Sequence, residues 1–166
     1  MRVLLLAAIT VDGKIARGNH EVIDWSSPED KRMFMGLSLQ AGVLIMGRRT
    51  YETLEQPLAG RQHIVLTRTP SRLAPMLVEF TSAPPAQILA DLERRGYETA
   101  IVAGGADIYR LFVDAGLVDE LWLTIEPLAF GSGISLLGNV PLNLRLRLLG
   151  SDLLNESSLQ LRYQIV

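Results

Sequence analysis

Three segments of the chain follow apolar runs of strand length and offer groups that can bind an anion. They are Gly47–Thr50, Thr67–Thr69 and Ala103–Ala106. Each supplies hydroxyl groups, guanidinium groups or the backbone N–H groups of a predicted helix start, which are donors that bind phosphate in proteins. Gly104 and Gly105 would let a pyrophosphate approach the backbone closely, although a Gly-Gly pair is equally consistent with a simple tight turn.

Arginine and threonine side chains at two of these segments favour one class of ligand. Arg48, Arg49 and Thr50 belong to the first segment, and Thr67 and Arg68 to the second. A guanidinium group can bind the 2′-phosphate that distinguishes NADPH from NADH, so this combination predicts NADPH as the cofactor. No G-x-G-x-x-G follows the first strand and no Walker A sequence occurs, which excludes the ordinary Rossmann and P-loop interpretations.

A carboxylate lies on the apolar face of the first predicted helix. Helical spacing places Asp30 on one face with Phe34, Leu37 and Ala41. Two interpretations stay open. Asp30 is either a first-turn acid that favours the helix dipole and completes a capping box with Ser27, or a carboxylate at the edge of a cleft that binds the N–H groups of a ligand.

The other reactive side chains narrow the chemistry. The chain has no cysteine, which excludes disulfides, thiolate metal sites and cysteine nucleophiles. With only His20 and His63, we expect no metal site. Trp25, just before the first helix, is either a packing residue or a border of the ligand site.

The elements that position these groups alternate along the chain. The predicted strands are Val3–Ile9, Val43–Met46, His63–Thr67, Leu77–Phe80, Thr99–Val102, Glu120–Glu126, Leu142–Leu149 and Leu159–Ile165. Helices are predicted to begin at Pro28, at Pro84-Pro85 and at Ala106, with a shorter helical turn after Gly47. The fold class is therefore α/β, with a mostly parallel central sheet, helices on both faces and a C-terminal antiparallel hairpin around the turn Asn155–Ser158.

Composition limits the class of protein. With 166 residues, 48% of them hydrophobic, we expect a single domain over residues 1–166. The net charge of −2 gives no basic field for nucleic acid. No stretch is long enough to cross a membrane, and the apolar start lacks a cleavage site, so we expect a cytoplasmic protein.

Four stretches, by their order and spacing, resemble the dihydrofolate reductase superfamily, which includes bacterial dihydrofolate reductases and the reductase domains of riboflavin biosynthesis. The stretches are Ala7–Ala16, Trp25–Asp30, Ile45–Glu52 and Ala103–Tyr109. The resemblance covers nearly the whole chain. It implies the three-layer fold of that superfamily and an NADPH-dependent oxidoreductase.

The resemblance also implies roles for individual residues. Asp30 matches the acid that holds the pterin, and Thr124 the threonine that hydrogen-bonds this acid. Arg61 matches the arginine that binds the glutamate tail of folate. The other expected substrate contacts are Ala8, Phe34 and, at the border, Trp25. The expected cofactor contacts are Ile15, Gly47, Arg48, Arg49, Thr50, Thr67, Arg68, Ala103, Gly104, Gly105, Ala106, Asp107 and Ile108.

Other stretches are typical of the riboflavin-type reductases. They are Thr10–Ala16, Gly116–Leu121 and Gly131–Gly133. Two positions depart from that pattern, because Ala103 stands where those enzymes usually carry a glutamate, and Gly47–Thr50 where they usually carry Asp-Asp-Pro.

The favoured function is hydride transfer from NADPH to a pterin, most simply dihydrofolate, with Asp30 holding the pterin, Thr124 orienting Asp30, and the loop Thr10–Asn19 as a lid. One alternative is the reduction of a ribosylamino-pyrimidinone 5′-phosphate in riboflavin synthesis. Another is a non-catalytic NADPH sensor. The two-faced terminal strands also suggest a homodimer through the C-terminal edge of the sheet.

Overall fold

The described residues of the chain form ten strands and four helices. The computed structural model describes residues 1–71, 73–139 and 141–166. The strands are β1 (Arg2–Thr10), β2 (Lys14–Ala16), β3 (Val43–Gly47), β4 (Gln62–Leu66), β5 (Val78–Thr81), β6 (Thr99–Val102), β7 (Glu120–Glu126), β8 (Ile134–Ser135), β9 (Leu146–Leu153) and β10 (Leu159–Ile165). The helices are α1 (Pro28–Ala41), α2 (Arg48–Glu52), α3 (Pro85–Arg94) and α4 (Ala106–Asp114).

Eight of the strands form one sheet in the order β5-β4-β3-β6-β1-β7-β10-β9. The pairings from β5 through to β7 are parallel, and those of β10 with β7 and with β9 are antiparallel. The predicted α/β class and C-terminal antiparallel hairpin are confirmed. Because the strands β1, β3, β4, β6 and β7 run in the same direction, their carboxyl ends meet at one edge, where ligands of such sheets bind.

Helices cover both faces of the sheet. One core cluster packs α3 and α4 against the face that carries Leu5 and Ile45. The other packs α1 against the face that carries Leu4 and Leu6. Burial on both faces explains why the central strands are continuously apolar instead of alternating.

The end of the chain differs from the predicted boundaries. The strand expected at Leu142–Leu149 is β9, which starts and ends four residues later, so that prediction is wrong in its bounds. Leu149 is the extra residue of a bulge on β9, because Arg162 of β10 pairs with Gly150 and Tyr163 with Leu148. The bulge interrupts the alternation of side chains that marks a strand in the sequence. The other seven predicted strands lie within one residue of the observed ones.

The segment expected to be a lid is partly a strand. Its middle part, β2, pairs antiparallel with β8 in a separate two-stranded sheet, and the role of Thr10–Asn19 as a lid stays a prediction. Gly133 makes this pairing possible, because its φ is +124° and a Cβ at this position would lie 2.4 Å from the Ala16 carbonyl oxygen. Across the described parts of the chain, we find no helix long and apolar enough to span a membrane.

Candidate functional site

A cleft of about 820 Å³ opens at the carboxyl ends of β1, β3, β4 and β6. It brings together all the residues that the sequence predicted for the cofactor. These are Ile15, Gly47, Arg48, Arg49, Thr50, Thr67, Arg68, Ala103, Gly104, Gly105, Ala106, Asp107 and Ile108. The volume suits an extended ligand the size of a dinucleotide.

The Gly-Gly turn forms the floor of this cleft. Gly104 has a φ of +107°, and a Cβ there would lie 3.1 Å from the Tyr109 hydroxyl oxygen, so the position requires glycine. The peptide bond between Gly104 and Gly105 is cis. Gly105 is the N-cap of α4 and has no side chain to cap the helix, which leaves the first N–H groups of α4 available to an anion in the cleft.

The three arginines of the cleft differ in how they are paired. Arg48 binds Glu52 at 2.7 Å within α2. Arg49 binds Asp107, at the start of α4, and donates to the Asn19 side chain at 2.8 Å. Among the described residues, none forms an ion pair with Arg68, which is exposed. Arg68 is therefore the guanidinium most available to a phosphate.

Two further stretches line the cleft, and of their residues only Gly18 and Asn19 were expected near the ligand, as part of the Thr10–Asn19 lid. Thr81–Pro85 follows the carboxyl end of β5, and Gly18–Glu21 follows β2. The strand-end rule that located the other segments also applies to Thr81, so that signal was present. The approach of Gly18–Glu21 depends on the β2–β8 pairing, which the sequence did not indicate.

Of the residues expected at the substrate, Ala8 lines the cleft, and Asp30 belongs to the helix that packs on the same face of the sheet. The cleft is not lined by Asp30, Thr124, Phe34, Arg61 or Trp25. Ala8 pairs in register with Thr124 on β7, and both carry their side chains toward α1. Asp30, in the first turn of α1, is 8% exposed. Burial raises the pKa of the Asp30 carboxyl, while the nearby hydroxyls of Thr124 and Ser26 oppose this by favouring the charged form.

The Thr124 hydroxyl still has hydrogen-bonding capacity. It is close enough to Asp30 to lower the pKa of that carboxyl. Even so, its Oγ1 is buried and makes no hydrogen bond of ordinary geometry with any described residue. A buried hydroxyl without a partner is costly, so Thr124 and Asp30 together offer groups that a polar ligand would satisfy.

The capping box proposed for Asp30 does not form. The Ser27 hydroxyl does cap α1, because it accepts from the Asp30 N–H at 3.2 Å. The reciprocal bond goes elsewhere, since the Ser27 N–H donates to Glu126 Oε1 at 2.7 Å. The interpretation of Asp30 as half of a capping box is therefore wrong, and its carboxyl is not committed to the helix end.

Glu126 was missed by sequence reasoning. It lies at the end of β7, two residues after Thr124 and on the same face, and it is 2% exposed. Its Oε2 accepts from the Ser158 hydroxyl at 2.5 Å. A carboxylate at i+2 from Thr124 in a buried strand was a readable signal, but the bond to Ser27 joins residues that are 99 positions apart.

The other residues expected at the substrate lie in α1 or beside it. They are Arg61, Phe34 and Trp25. The Arg61 side chain is buried, and its guanidinium donates to the Met35 carbonyl oxygen at 3.1 Å. Its Nε has no partner among the described residues, and burial lowers the pKa of the group. Phe34 packs in the α1 core cluster. Trp25 stacks edge-to-face on Phe130 at 5.3 Å, and its indole N–H is buried without a described partner.

The segment between β1 and β2 is held by Asp12. Its carboxylate accepts from the Thr10 hydroxyl at 2.5 Å and from the Gly131 N–H at 2.8 Å. These bonds, that of the Thr10 hydroxyl above all, lower the pKa of Asp12 to about 2. Lys14 donates to the Ser135 hydroxyl at 2.9 Å. The β1–β2 connection is therefore tied to the β7–β8 loop beside the cleft.

Comparisons with known proteins bear on the family and the fold. The family described as “Dihydrofolate reductase” matches residues 2–128. Dihydrofolate reductase type 3 of Salmonella typhimurium is 33% identical over 124 residues, which are 75% of this chain and 71% of that protein.

Two solved structures share the architecture. A putative riboflavin biosynthesis protein from Shewanella sp. PV-4 superposes with a TM-score of 0.84 over 100% of this chain and 99% of that one, at 22% identity. Dihydrofolate reductase from Enterococcus faecalis, complexed with NADP(H) and RAB-propyl, superposes with a TM-score of 0.77 over 99% of this chain and 96% of that one, at 22% identity. At these identities the two structures support the fold alone.

Proposed function

The chain belongs to the dihydrofolate reductase family, and on that basis we propose that it is an NADPH-dependent reductase whose substrate is dihydrofolate. One observation carries the proposal: on the sheet face that carries Ala8 of the cleft, a buried carboxyl that is not committed to its helix lies beside a buried hydroxyl that has no hydrogen-bond partner among the described residues. These groups are Asp30 and Thr124.

The residues of the cleft fit NADPH. The Gly104–Gly105 turn and the start of α4 would hold the pyrophosphate, and Arg68 would bind the 2′-phosphate. The nicotinamide end would lie toward Ala8 and Ile15. When bound, the cofactor supplies the hydride. The protein's contribution is to align the donor and acceptor carbons and to exclude water, which can supply up to about 7 kcal/mol of the barrier.

Asp30 would bind the amino group and the ring N–H of the pterin and favour protonation of the imine nitrogen. Because burial raises its pKa, Asp30 retains a proton to higher pH than an exposed aspartate. Turnover should therefore be highest below the pKa of Asp30 and fall as the pH rises through it.

Arg61 supports a substrate that carries a carboxylate. A buried guanidinium is normally paired with an acid, yet the polar partner that the structure gives Arg61 is the Met35 carbonyl, with the Met35 sulfur nearby. Met35 lies in α1 one residue after Phe34, so the helix brings a carboxyl, an aromatic ring and the Arg61 guanidinium to one side of the fold. In a folate complex, the carboxyl would bind the pterin, the aromatic ring would contact the ring system, and the guanidinium would bind the glutamate tail.

A second candidate is the reduction of a ribosylamino-pyrimidinone 5′-phosphate. It is favoured by the contact between two stretches that are typical of riboflavin-type reductases, Thr10–Ala16 and Gly131–Gly133. Gly133 lies close to Ala16, and β2 pairs with β8 next to this contact. A phosphorylated substrate would need cations near Lys14 and Arg61, and Lys14 is already bonded to Ser135.

The test is to follow oxidation of NADPH by the purified protein with each substrate in turn. We expect turnover with dihydrofolate and little with the pyrimidinone phosphate. The reverse preference would replace the proposal by the second candidate. Tight NADPH binding without turnover of either substrate would indicate a sensor.

A further inference from the structure

We propose that Glu126 is a positioning residue for Asp30: it takes the place of Asp30 in the N-terminal cap of α1 and so leaves the Asp30 carboxyl turned to the ligand. Only the effect of Glu126 on turnover rests on the proposed function. The arrangement of Glu126, Ser27 and Asp30 rests on hydrogen-bond contacts alone.

The hydrogen bonds at the start of α1 leave the Asp30 carboxyl outside the helix cap. A first-turn acid at the third helical position ordinarily reaches back to the N–H of the capping serine. Here that N–H donates to Glu126 Oε1 at 2.7 Å. Asp30 therefore has no cap donor to satisfy, and Ser27 is anchored to β7, the strand that also carries Thr124.

A second hydrogen bond fixes the Glu126 carboxylate in place. Its other oxygen accepts from the Ser158 hydroxyl at 2.5 Å, and both residues are buried. Ser158 is fixed in turn, because its N–H donates to the Asn155 side chain at 2.8 Å. The carboxylate thus bridges the start of α1 to the β9–β10 turn, and neither oxygen needs a ligand.

The charge of Glu126 also acts on Asp30. The charged and titratable groups that act on Asp30 are Glu126 from β7, Lys31 from α1 and the Tyr109 phenol from α4. Glu126 raises the pKa of Asp30, whereas Lys31 lowers it. Because Glu126 is buried, water screens its charge less than that of a surface acid.

The experiment compares Glu126→Gln with Glu29→Gln. Glutamine at position 126 keeps an acceptor for the Ser27 N–H but removes the charge. The matched control removes the same charge from the first turn of α1, where Glu29 pairs with Arg32 and accepts from the Asn155 side chain at 3.1 Å, a bond for which glutamine keeps the acceptor. The primary measurement is the ¹³C-NMR titration of the Asp30 carboxyl in the ligand-free protein, which needs no substrate.

We expect Asp30 to titrate at lower pH in Glu126→Gln than in the wild type, with a smaller change in Glu29→Gln. An unchanged Asp30 titration in Glu126→Gln, or equal changes in the two variants, would overturn the proposal. If Glu126→Gln does not fold, Glu126→Asp decides, because it keeps the charge but shortens the reach from β7 to the Ser27 N–H. Asp30 should then turn to that N–H and titrate at lower pH than in the wild type, and an unchanged Asp30 titration would overturn the proposal.

Turnover gives a second readout. In Glu126→Gln, the fall of kcat/KM with rising pH should begin at lower pH, with a loss of about threefold or more above that point and little loss below it. A loss of the same size at every pH would indicate a merely structural role and count against the proposal. If the wild type reduces no pterin, the proposed function fails while the carboxyl titration still tests Glu126.

Discussion

Asp30→Asn is the substitution that most directly tests the proposed chemistry. Asparagine keeps the shape of the side chain and can still form hydrogen bonds, but it carries no charge and cannot hold a proton for the substrate. The helix should be little affected, because the Ser27 hydroxyl caps the Asp30 backbone N–H and the Ser27 N–H is bound by Glu126. The variant therefore separates the chemistry of the carboxyl from its place in the fold.

The expected loss of turnover follows from what Asp30 supplies. General acid assistance contributes about 10²-fold or more, which corresponds to about 2.7 kcal/mol of the barrier. A charge-assisted hydrogen bond from a buried carboxylate to a ligand N–H is worth about 1.5–3 kcal/mol, which is a similar amount. We therefore expect turnover of dihydrofolate to fall at least about 100-fold. NADPH affinity should barely change, because the expected phosphate contacts lie at other strand ends.

The same substitution should stabilise the ligand-free protein. Burial raises the pKa of Asp30, so its ionised form costs stability that an amide does not. The gain should be absent below the pKa of an unfolded aspartate, about 3.9, grow between that pH and the raised pKa of folded Asp30, and stay constant at higher pH. Each kcal/mol gained corresponds to about 2–4 °C in Tm for a chain of this size.

The assays are steady-state turnover, NADPH binding and thermal unfolding across pH, with Asp152→Asn as the matched control. Asp152 is an exposed aspartate of β9 that pairs with Arg162, and its loss should leave all three quantities near those of the wild type. If Asp30→Asn folds and retains near-wild-type turnover, Asp30 is not the acid of the reaction and the reasoning fails.

Three other outcomes are expected. NADPH should bind at least about tenfold more tightly than NADH, since charge-assisted contacts to the 2′-phosphate are worth about 1.5–3 kcal/mol each. Arg68→Ala should reduce this preference more than Arg48→Ala, because Arg48 already pairs with Glu52. Equal binding of both dinucleotides to the wild type would contradict the predicted preference for NADPH. Arg61→Gln should raise the KM for dihydrofolate at least tenfold, by about the worth of one charge-assisted contact, while leaving the KM for a dihydropterin without the glutamate tail nearly unchanged; equal changes for both would argue against a carboxylate ligand. Sedimentation at micromolar concentration should show a homodimer through the exposed β9 edge, whereas a monomer would refute that pairing.

The sequence determined the elements and the residues that line the cleft because their signals are local. Continuous apolar runs marked the central strands, and a serine followed by proline marked the start of α1 at the residue where it begins. The anion-binding groups at Gly47–Thr50, Thr67–Thr69 and Ala103–Ala106 directly follow strands. In a parallel sheet the ends of those strands meet at one edge, so a single topological rule was enough to bring them together.

The tertiary structure alone decided that the Asp30 carboxyl takes no part in the cap of α1. Local sequence made a capping acid and a ligand-binding acid equally consistent, because both need the same residue at the same position of the helix. The choice depends on Glu126, which reaches the Ser27 N–H from β7, 99 positions further along the chain. The burial of Arg61 against Met35 and the pairing of β2 with β8 were hidden for the same reason. The burial of a side chain and its hydrogen-bond partners depend on residues that are distant in the sequence and meet only in the folded chain. A pattern of neighbouring residues in the sequence therefore does not predict them.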